Sequence, residues 1–439
     1  MTANRPPFLL KLLAPLAAFA CVFAVLVAFG GADGIELPGR AAGVDIEISP
    51  DASTDRRIAI LQRAVRDGIG GAEGYAALGD AYLQKARENG DPSFYARAER
   101  SFDAALRRDA RSMSALLGAG TLAGLRHDFR EQQRLGLEAQ RLTPELVAPY
   151  PVIADAQIEL GRYRAAERTL QRFLDLKPNL ASYSRVSYYR ELNGDLDGAV
   201  EAMRLAVSAG AGVPENVAYV QTLLGDLELQ RGRPAAARAA YRGALARLPR
   251  YAPAEAGLAR VELAAGDLDS AASRLRSVAQ RLPLTSNLIL LAETNTARGD
   301  ERGAEVDLEV VRTQQRLLRA AGTRPDAELV VFEANYGDAG AAVELGRRLW
   351  REAPSVRSAD ALGWALTRAG RPGEGLAWAR RALRLGSRDP LFHLHAGLAA
   401  KAAGRAGTAA RELRTALAGR AALSPLRARE ARAALEDLR

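Results

Sequence analysis

Apolar and polar positions change their pattern twice along the chain. From Leu12 to Phe29 there are 18 residues without a charge (LLAPLAAFACVFAVLVAF), preceded by Arg5 and Lys11 and followed by Asp33 and Glu36. As a helix this run is roughly 27 Å long, about the hydrocarbon thickness of a bilayer. Basic residues on its near side orient the N-terminus towards the cytoplasm and the remainder of the chain outside it. Residues 1–32 therefore read as a membrane anchor. Gly30-Gly31-Ala32 also offers small residues of the kind a signal peptidase cuts at, so cleavage to a soluble exported form is the alternative. Residues 33–53 hold Gly, Pro and acids without a helical period and read as a flexible tether, with Asp51 or Thr54 starting the first helix beyond it.

After that point a longer period takes over. Leu224-Gly225, Gly232, Ala237, Tyr241, Ala244 and Pro249 are followed in register by Leu258-Ala259, Gly266, Ala271, Leu275, Val278 and Pro283, with Pro249 and Pro283 34 residues apart. A fixed period of this length specifies stacked supersecondary units. Each landmark has a steric cause. The small residues let two helices approach closely. The glycine takes the left-handed conformation that ends a first helix, and an Asp often follows to cap the second, as in Gly194-Asp195, Gly266-Asp267 and Gly299-Asp300. The proline lacks the N–H that a continuing helix needs, and it closes the second helix.

This pattern of Leu-Gly, Tyr, Ala, aromatic, Ala and Pro resembles the tetratricopeptide repeat. The resemblance covers nearly everything after residue 56. Further copies follow the same landmarks, among them Leu78-Gly79 with Phe102, Leu117-Gly118 with Pro144, Ala154 with Phe173 and Pro178, Leu362-Gly363 with Gly370, and Ala396-Gly397 with Gly404. The expected fold is all-α: about ten helix pairs over 54–420, and a polar capping helix over 421–439. Three irregularities interrupt the array, at Gly90-Asp91-Pro92, near 209–215 and near 320–326. The resemblance implies a right-handed superhelix of helix pairs whose concave groove is lined by the first helix of each pair.

Composition sharpens this picture. The chain is 48% hydrophobic, enough for a continuous core, and rich in the helix formers Ala, Leu and Arg. Its formal charge of +9 comes almost wholly from arginine, since only Lys11, Lys85, Lys177 and Lys401 are lysines. The arginines are interleaved with 52 acids along the whole chain instead of forming a stripe, so a nucleic-acid partner is not expected. The single cysteine, Cys21, lies inside the apolar run, which leaves no intrachain disulfide and no Cys-based metal site. His393 and His395, two apart, point to different sides of a helix. No phosphate-binding loop, no His-Glu-x-x-His and no Gly-x-Ser-x-Gly occurs, and the carboxylate pairs Glu131/Glu138 and Asp267/Asp269 fall on solvated faces or helix starts. Neither a catalytic residue, a metal, a cofactor nor a small-molecule substrate is expected. Trp350, Trp364 and Trp378 recur 14 apart and read as filling between repeats.

The functional expectation is a non-catalytic scaffold that binds peptides or partner proteins, placed outside the cytoplasm in a bacterial envelope assembly; the alternatives are a cleaved, soluble secreted adaptor and a repeat module that assists a separate glycosyltransferase or cell-wall enzyme. Counted from the Leu-Gly landmark, the groove candidates are Asp155, Arg185, Tyr188, Glu191, Tyr219, Asp226, Arg260, Glu293 and Trp364. The stretch from Tyr183 to Glu191 is the densest, with three tyrosines and Arg185 of the kind that form binding hot spots. The competing reading is that the tyrosines close the helix pair and Arg185 pairs with an acid. The lysine and asparagine set with which some relatives clamp a C-terminal carboxylate is absent.

Overall fold

A computed structural model describes residues 46, 48, 49, 52–210 and 213–439. The expected anchor over 1–32 and most of the tether lie outside the described residues. Among those that are described, no helix is long and apolar enough to cross a membrane. Ile46 and Ile48, within the stretch read as tether, pack beside the first core cluster of Ile58, Leu61, Leu78 and Tyr82.

The described residues form 22 α-helices, two short 3-10 turns and no strand. A leading helix α1 (Thr54–Arg66) precedes ten antiparallel pairs. These are α2 (Gly71–Asn89) with α3 (Ser93–Arg108), α4 (Met113–Leu125) with α5 (Phe129–Leu142), α6 (Pro149–Glu159) with α7 (Tyr163–Leu176), and α8 (Leu180–Leu192) with α9 (Leu196–Ala209). Next come α10 (Pro214–Gln230) with α11 (Pro234–Arg247), α12 (Ala252–Ala264) with α13 (Leu268–Arg281), and α14 (Thr285–Arg298) with α15 (Glu301–Ala320). The last are α16 (Ala327–Tyr336) with α17 (Ala339–Glu352), α18 (Val356–Arg368) with α19 (Pro372–Ala382), and α20 (Pro390–Ala402) with α21 (Ala406–Ala418), followed by α22 (Pro425–Glu436).

The two helices of a pair differ in burial for a reason visible in their residues. In α7 only Tyr163, Ala166, Leu170 and Phe173 are buried, one stripe at helical spacing. In α6 every residue from Pro149 to Ile158 is buried, because this helix is covered on all sides. The first helices thus form an inner layer and the second helices an outer one. Asp195, Asp267 and Asp300 each accept a hydrogen bond from a backbone N–H three residues on and start α9, α13 and α15.

The close approaches follow from the small residues. The ring of Tyr241 lies between α10 and α12, and a Cβ added at Gly225 or at Gly257 would come within 2.4 or 2.3 Å of its Cε1. Phe102 is held in the same way between Gly79 and Gly118. Each ring is shared by its own pair and the next, which is how one pair buries its face against another.

The array also closes on itself. Tyr163 is tied to the far half of the chain: Val356 N–H donates to its Oη at 2.7 Å across 193 residues. His127 Nδ1 lies 3.0 Å from the Arg324 carbonyl oxygen across 197 residues. The Arg324 N–H donates to the Arg126 carbonyl at 3.0 Å, and its guanidinium pairs with Asp128. The connection near 320–326 is therefore a clip onto the α4–α5 turn. A Cβ at Gly161 would strike the Pro354 carbonyl, and one at Gly194 the Gly386 carbonyl. Turns inside the early pairs thus abut turns between the late pairs, so that one winding takes between five and six repeats of 34 and successive windings touch. His127 occupies the place glycine takes in the later turns, with φ 60°. That left-handed backbone costs a β-carbon-bearing residue on the order of 1 kcal/mol, offset here by the ring's contact with the other winding.

Candidate protein-binding inner wall

The inner helices carry a row of polar side chains, most of them engaged with the next inner helix. Arg185 on α8 meets Asp155 on α6 through two hydrogen bonds of 2.9 Å, with 0% and 3% of the two residues exposed. Arg260 on α12 donates to Asp226 on α10 at 3.1 Å, and Tyr241 Oη donates to the same carboxylate at 2.6 Å. Gln230 on α10 donates to Glu191 on α8 at 2.6 Å. Glu293 on α14 accepts from Tyr336 Oη at 2.6 Å and from Arg427 on α22 at 2.9 Å. Trp364 on α18 is 3% exposed, stacks on His395 at 4.4 Å between ring centroids, and donates to Asn335 at 2.9 Å.

Of the nine groove candidates, Asp155, Arg185, Tyr188, Tyr219, Glu293 and Trp364 are buried and already have partners within the chain. Glu191, Asp226 and Arg260 keep part of their side chains open and stand together on α8, α10 and α12. The Arg185–Asp155 pair matches the competing reading of that stretch. Trp350 and Trp378 meet edge to face at 4.7 Å, partly buried against the core between repeats. His393 and His395 turn to different acids, Glu412 at 2.7 Å and Asp360 at 2.9 Å. Among the described residues no group of His, Cys, Asp and Glu is arranged to hold a metal ion.

Where the windings meet, the inner wall gathers charge that sequence reasoning did not assign. Tyr188 on α8 accepts from Arg357 on α18 at 3.3 Å, and Arg357 also acts on Glu159, Glu191, Glu328 and Asp389. Acids thus outnumber their shared guanidinium. Burial is the main cause that pushes the Glu191 carboxyl up to about 7, with Gln230 and Arg357 opposing and Asp389 and Asp226 reinforcing. Glu328 is pushed up to about 8 by burial and by neighbouring Asp326. Burial also raises Asp155 to about 7 against the opposing charge of Arg185. Asp80, which follows Gly79 as Asp226 follows Gly225, is raised to about 7 by the protein around it, although its surface remains open to water, which tempers the effect. Asp80 was legible from its register. Arg357, Asp326 and Asp389 were not, because they cluster only when distant windings meet.

The bore is narrow. Gln84 on α2 reaches Glu215 on α10 at 3.5 Å across 131 residues, and Arg427 on α22 reaches Glu293 on α14 across 134. In both cases inner helices four places apart touch.

Two tetratricopeptide-repeat family models match the chain, over residues 152–214 and 228–305. A curated relative, the putative cellulose synthase operon protein C of Escherichia coli O157:H7, is 34% identical over 138 residues, which take in 28% of this chain and 11% of that protein. The chain therefore spans about a tenth of that relative's length. Among solved structures, the APC/C hetero-tetramer Cut9–Hcn1 is 17% identical, with 88% of this chain and 83% of that one covered and a TM-score of 0.40. The human IFIT1 dimer with m7Gppp-AAAA is 16% identical, with 76% of each chain covered and a TM-score of 0.48. A tetratricopeptide repeat protein from Parabacteroides merdae is 15% identical, with 59% and 98% covered and a TM-score of 0.32. With the repeat landmarks, the ten helix pairs and both family matches in agreement, the chain is a tetratricopeptide-repeat protein.

Proposed function

We propose that this protein is a non-catalytic scaffold that holds a peptide segment or partner protein against its inner wall, in an assembly of the bacterial cell envelope. The observation that carries the binding reading is the group of Glu191, Asp226 and Arg260. These three part-open charged side chains are fixed by Gln230 and Tyr241 at adjacent places on α8, α10 and α12. Charged groups already held in one geometry lose little freedom when a partner docks. Paired acid and base present both a donor fork and an acceptor to a main chain or a polar side chain.

The apolar run from Leu12 to Phe29 supports an envelope placement, with a retained anchor as the first reading and a cleaved, exported adaptor as the second. The relative named for a cellulose synthase operon favours one elaboration: a repeat module that assists a separate glycosyltransferase or cell-wall enzyme. Exchanging the charges with Asp226→Arg and Arg260→Asp keeps a pair in place while inverting what it presents. Capture of a partner from envelope extracts is expected to fall at least tenfold. Undiminished capture would refute this part of the wall as the site. Fractionation that recovers the full-length product soluble in the cytoplasm would refute the envelope placement.

A further inference from the structure

The row of inner-wall acids is neutralised by two different means. Asp155 and Asp226 are each met by an arginine from the next inner helix, 30 and 34 residues further on. Glu293 is buried like Asp155, with 6% of the residue exposed, yet the following inner helix α16 offers it a tyrosine hydroxyl instead of a cation. Its cation comes from the end of the chain. Arg427 on α22 donates from Nε to Glu293 at 2.9 Å, from one terminal nitrogen to Tyr336 Oη at 3.2 Å and from the other to Glu430 at 2.9 Å.

From these contacts we propose that Glu293 and Tyr336 form a guanidinium-binding site for a partner's arginine-bearing helix, and that α22 is the resident occupant which such a helix displaces. This inference rests on the reading of the inner wall as the binding surface, and it names the chemistry of the ligand. A carboxylate with a tyrosine hydroxyl bound to it presents a planar pair of acceptors that an arginine fork fits and a lysine does not.

The hold on α22 is of a kind that gives way. Among the described residues α22 packs chiefly on α21, α14 and α20. Its buried residues are all alanines, Ala428, Ala431 and Ala434; Ala431 and Ala434 pack with Leu394, Leu413 and Ala416, joined by the part-buried Leu435 and Leu438. Alanines bury little apolar area compared with the Leu, Phe and Tyr of the earlier pairs. A competing helix with small residues at the same spacing and an arginine in its first turn would cover the same surface.

The test uses the full chain and a fluorescent peptide of residues 424–439 as probe. In an Arg427→Ala chain, the amides of α22 are expected to exchange with solvent at least tenfold faster than in the parent, with α14 and α20 unchanged. The peptide is expected to bind that chain at least tenfold more tightly than it binds the parent. The same peptide carrying Arg427→Ala should not bind, and adding Glu293→Gln to the chain should remove the gain.

Should the Arg427→Ala chain lose its fold, Arg427→Lys serves instead, with peptide affinity expected about threefold above the parent. Unchanged protection of α22, equal binding to parent and variant, or equal binding of both peptides would overturn the proposal. If the peptide fails while the Asp226/Arg260 exchange still abolishes partner capture, only the role of α22 falls. If both fail, the inner-wall reading falls with it.

Discussion

Replacing Gly118 with alanine tests the claim that shared rings fix the approach of neighbouring pairs. An added Cβ would lie 2.2 Å from Phe102 Cε1 and 2.5 Å from Cζ. Two carbons in contact sit about 3.5–4.0 Å apart, so the ring must retreat by more than about 1 Å. Its other face is closed by α2, where a Cβ on Gly79 would already be 2.5 Å from the same ring, and Phe102 is 1% exposed. Overpacking of this kind costs about 1–3 kcal/mol, and a ring trapped on both faces belongs in the upper half of that range. The helical preference of alanine over glycine returns about 1 kcal/mol. The net expectation is a loss of about 1–2 kcal/mol, read as a lower urea midpoint by far-ultraviolet circular dichroism. Phe102→Leu should cost stability alone but relieve much of the loss in the Gly118→Ala background, a coupling of about 1 kcal/mol or more between the two sites. Gly407→Ala, at the start of α21 with nothing within 4 Å of its Cβ, should instead be neutral or gain about 0.5 kcal/mol. A Gly118→Ala chain as stable as the parent, or strictly additive effects with Phe102→Leu, would refute the reasoning.

The buried pair gives a second expectation. Arg185→Met strands the Asp155 carboxylate and should cost about 3–5 kcal/mol, whereas Asp155→Leu with Arg185→Met should stay within about 1 kcal/mol of the parent. Thermal unfolding distinguishes the two, and a single variant as mild as the double would show that the pair is not the relevant unit. A third expectation concerns pH. Asp155 and Glu191 at about 7, Glu328 at about 8 and Asp307 at about 6 all lie above their ordinary carboxyl values, with burial the first cause in each. Between those ordinary values and the raised ones the folded chain holds protons that the unfolded chain has released. Their contribution is therefore complete below about pH 4 and is lost as pH rises through 6 to 8. The urea midpoint should be higher at pH 5 than at pH 8, and a midpoint that rises over this interval would contradict the attribution of these raised values to burial in the folded chain.

What the sequence revealed is what nearest neighbours require of each other. Gly225, Gly257 and Tyr241 must be small, small and large because one ring fills one gap, so the repeat was legible from a single chain. The same holds for Asp195, Asp267 and Asp300, whose role as helix starts is local chemistry. The part-open trio of Glu191, Asp226 and Arg260 emerged because all three fall on the inner face by counting from a landmark. Counting failed to tell open residues from enclosed ones. Arg185, Tyr188 and Trp364 have the register of wall residues, yet Asp155, Arg357 and His395 enclose them, and two of those three partners belong to the other winding or to a later repeat. Contacts across 169 or 193 residues leave no periodic trace, since each is made by residues that repeat nowhere else.

Those long-range contacts alter what kind of object the array is. A solenoid held only by neighbouring repeats is stable as a sum of units and frays from either end. Here α4 to α11 are also tied to α16 to α21 and the turn after it. Tyr163 is bound to the start of α18, Arg324 to the α4–α5 turn, and the Gly194 turn rests on Gly386. Opening one of these pairs would break two neighbour interfaces and a winding contact together. The turns at Gly266 and Gly299 have open space beside them, so the α12–α13 and α14–α15 turns lack a turn-to-turn contact, while α12 packs against Arg420–Ala422 and α14 against α22. The trio on α8, α10 and α12 therefore lies where the turn-to-turn contacts between windings end. Glu293, on α14, is the wall acid whose guanidinium partner comes from the terminal helix. The wall acids are thus held in two ways along one inner surface, Asp155 and Asp226 by arginines of neighbouring inner helices and Glu293 by Arg427 of α22.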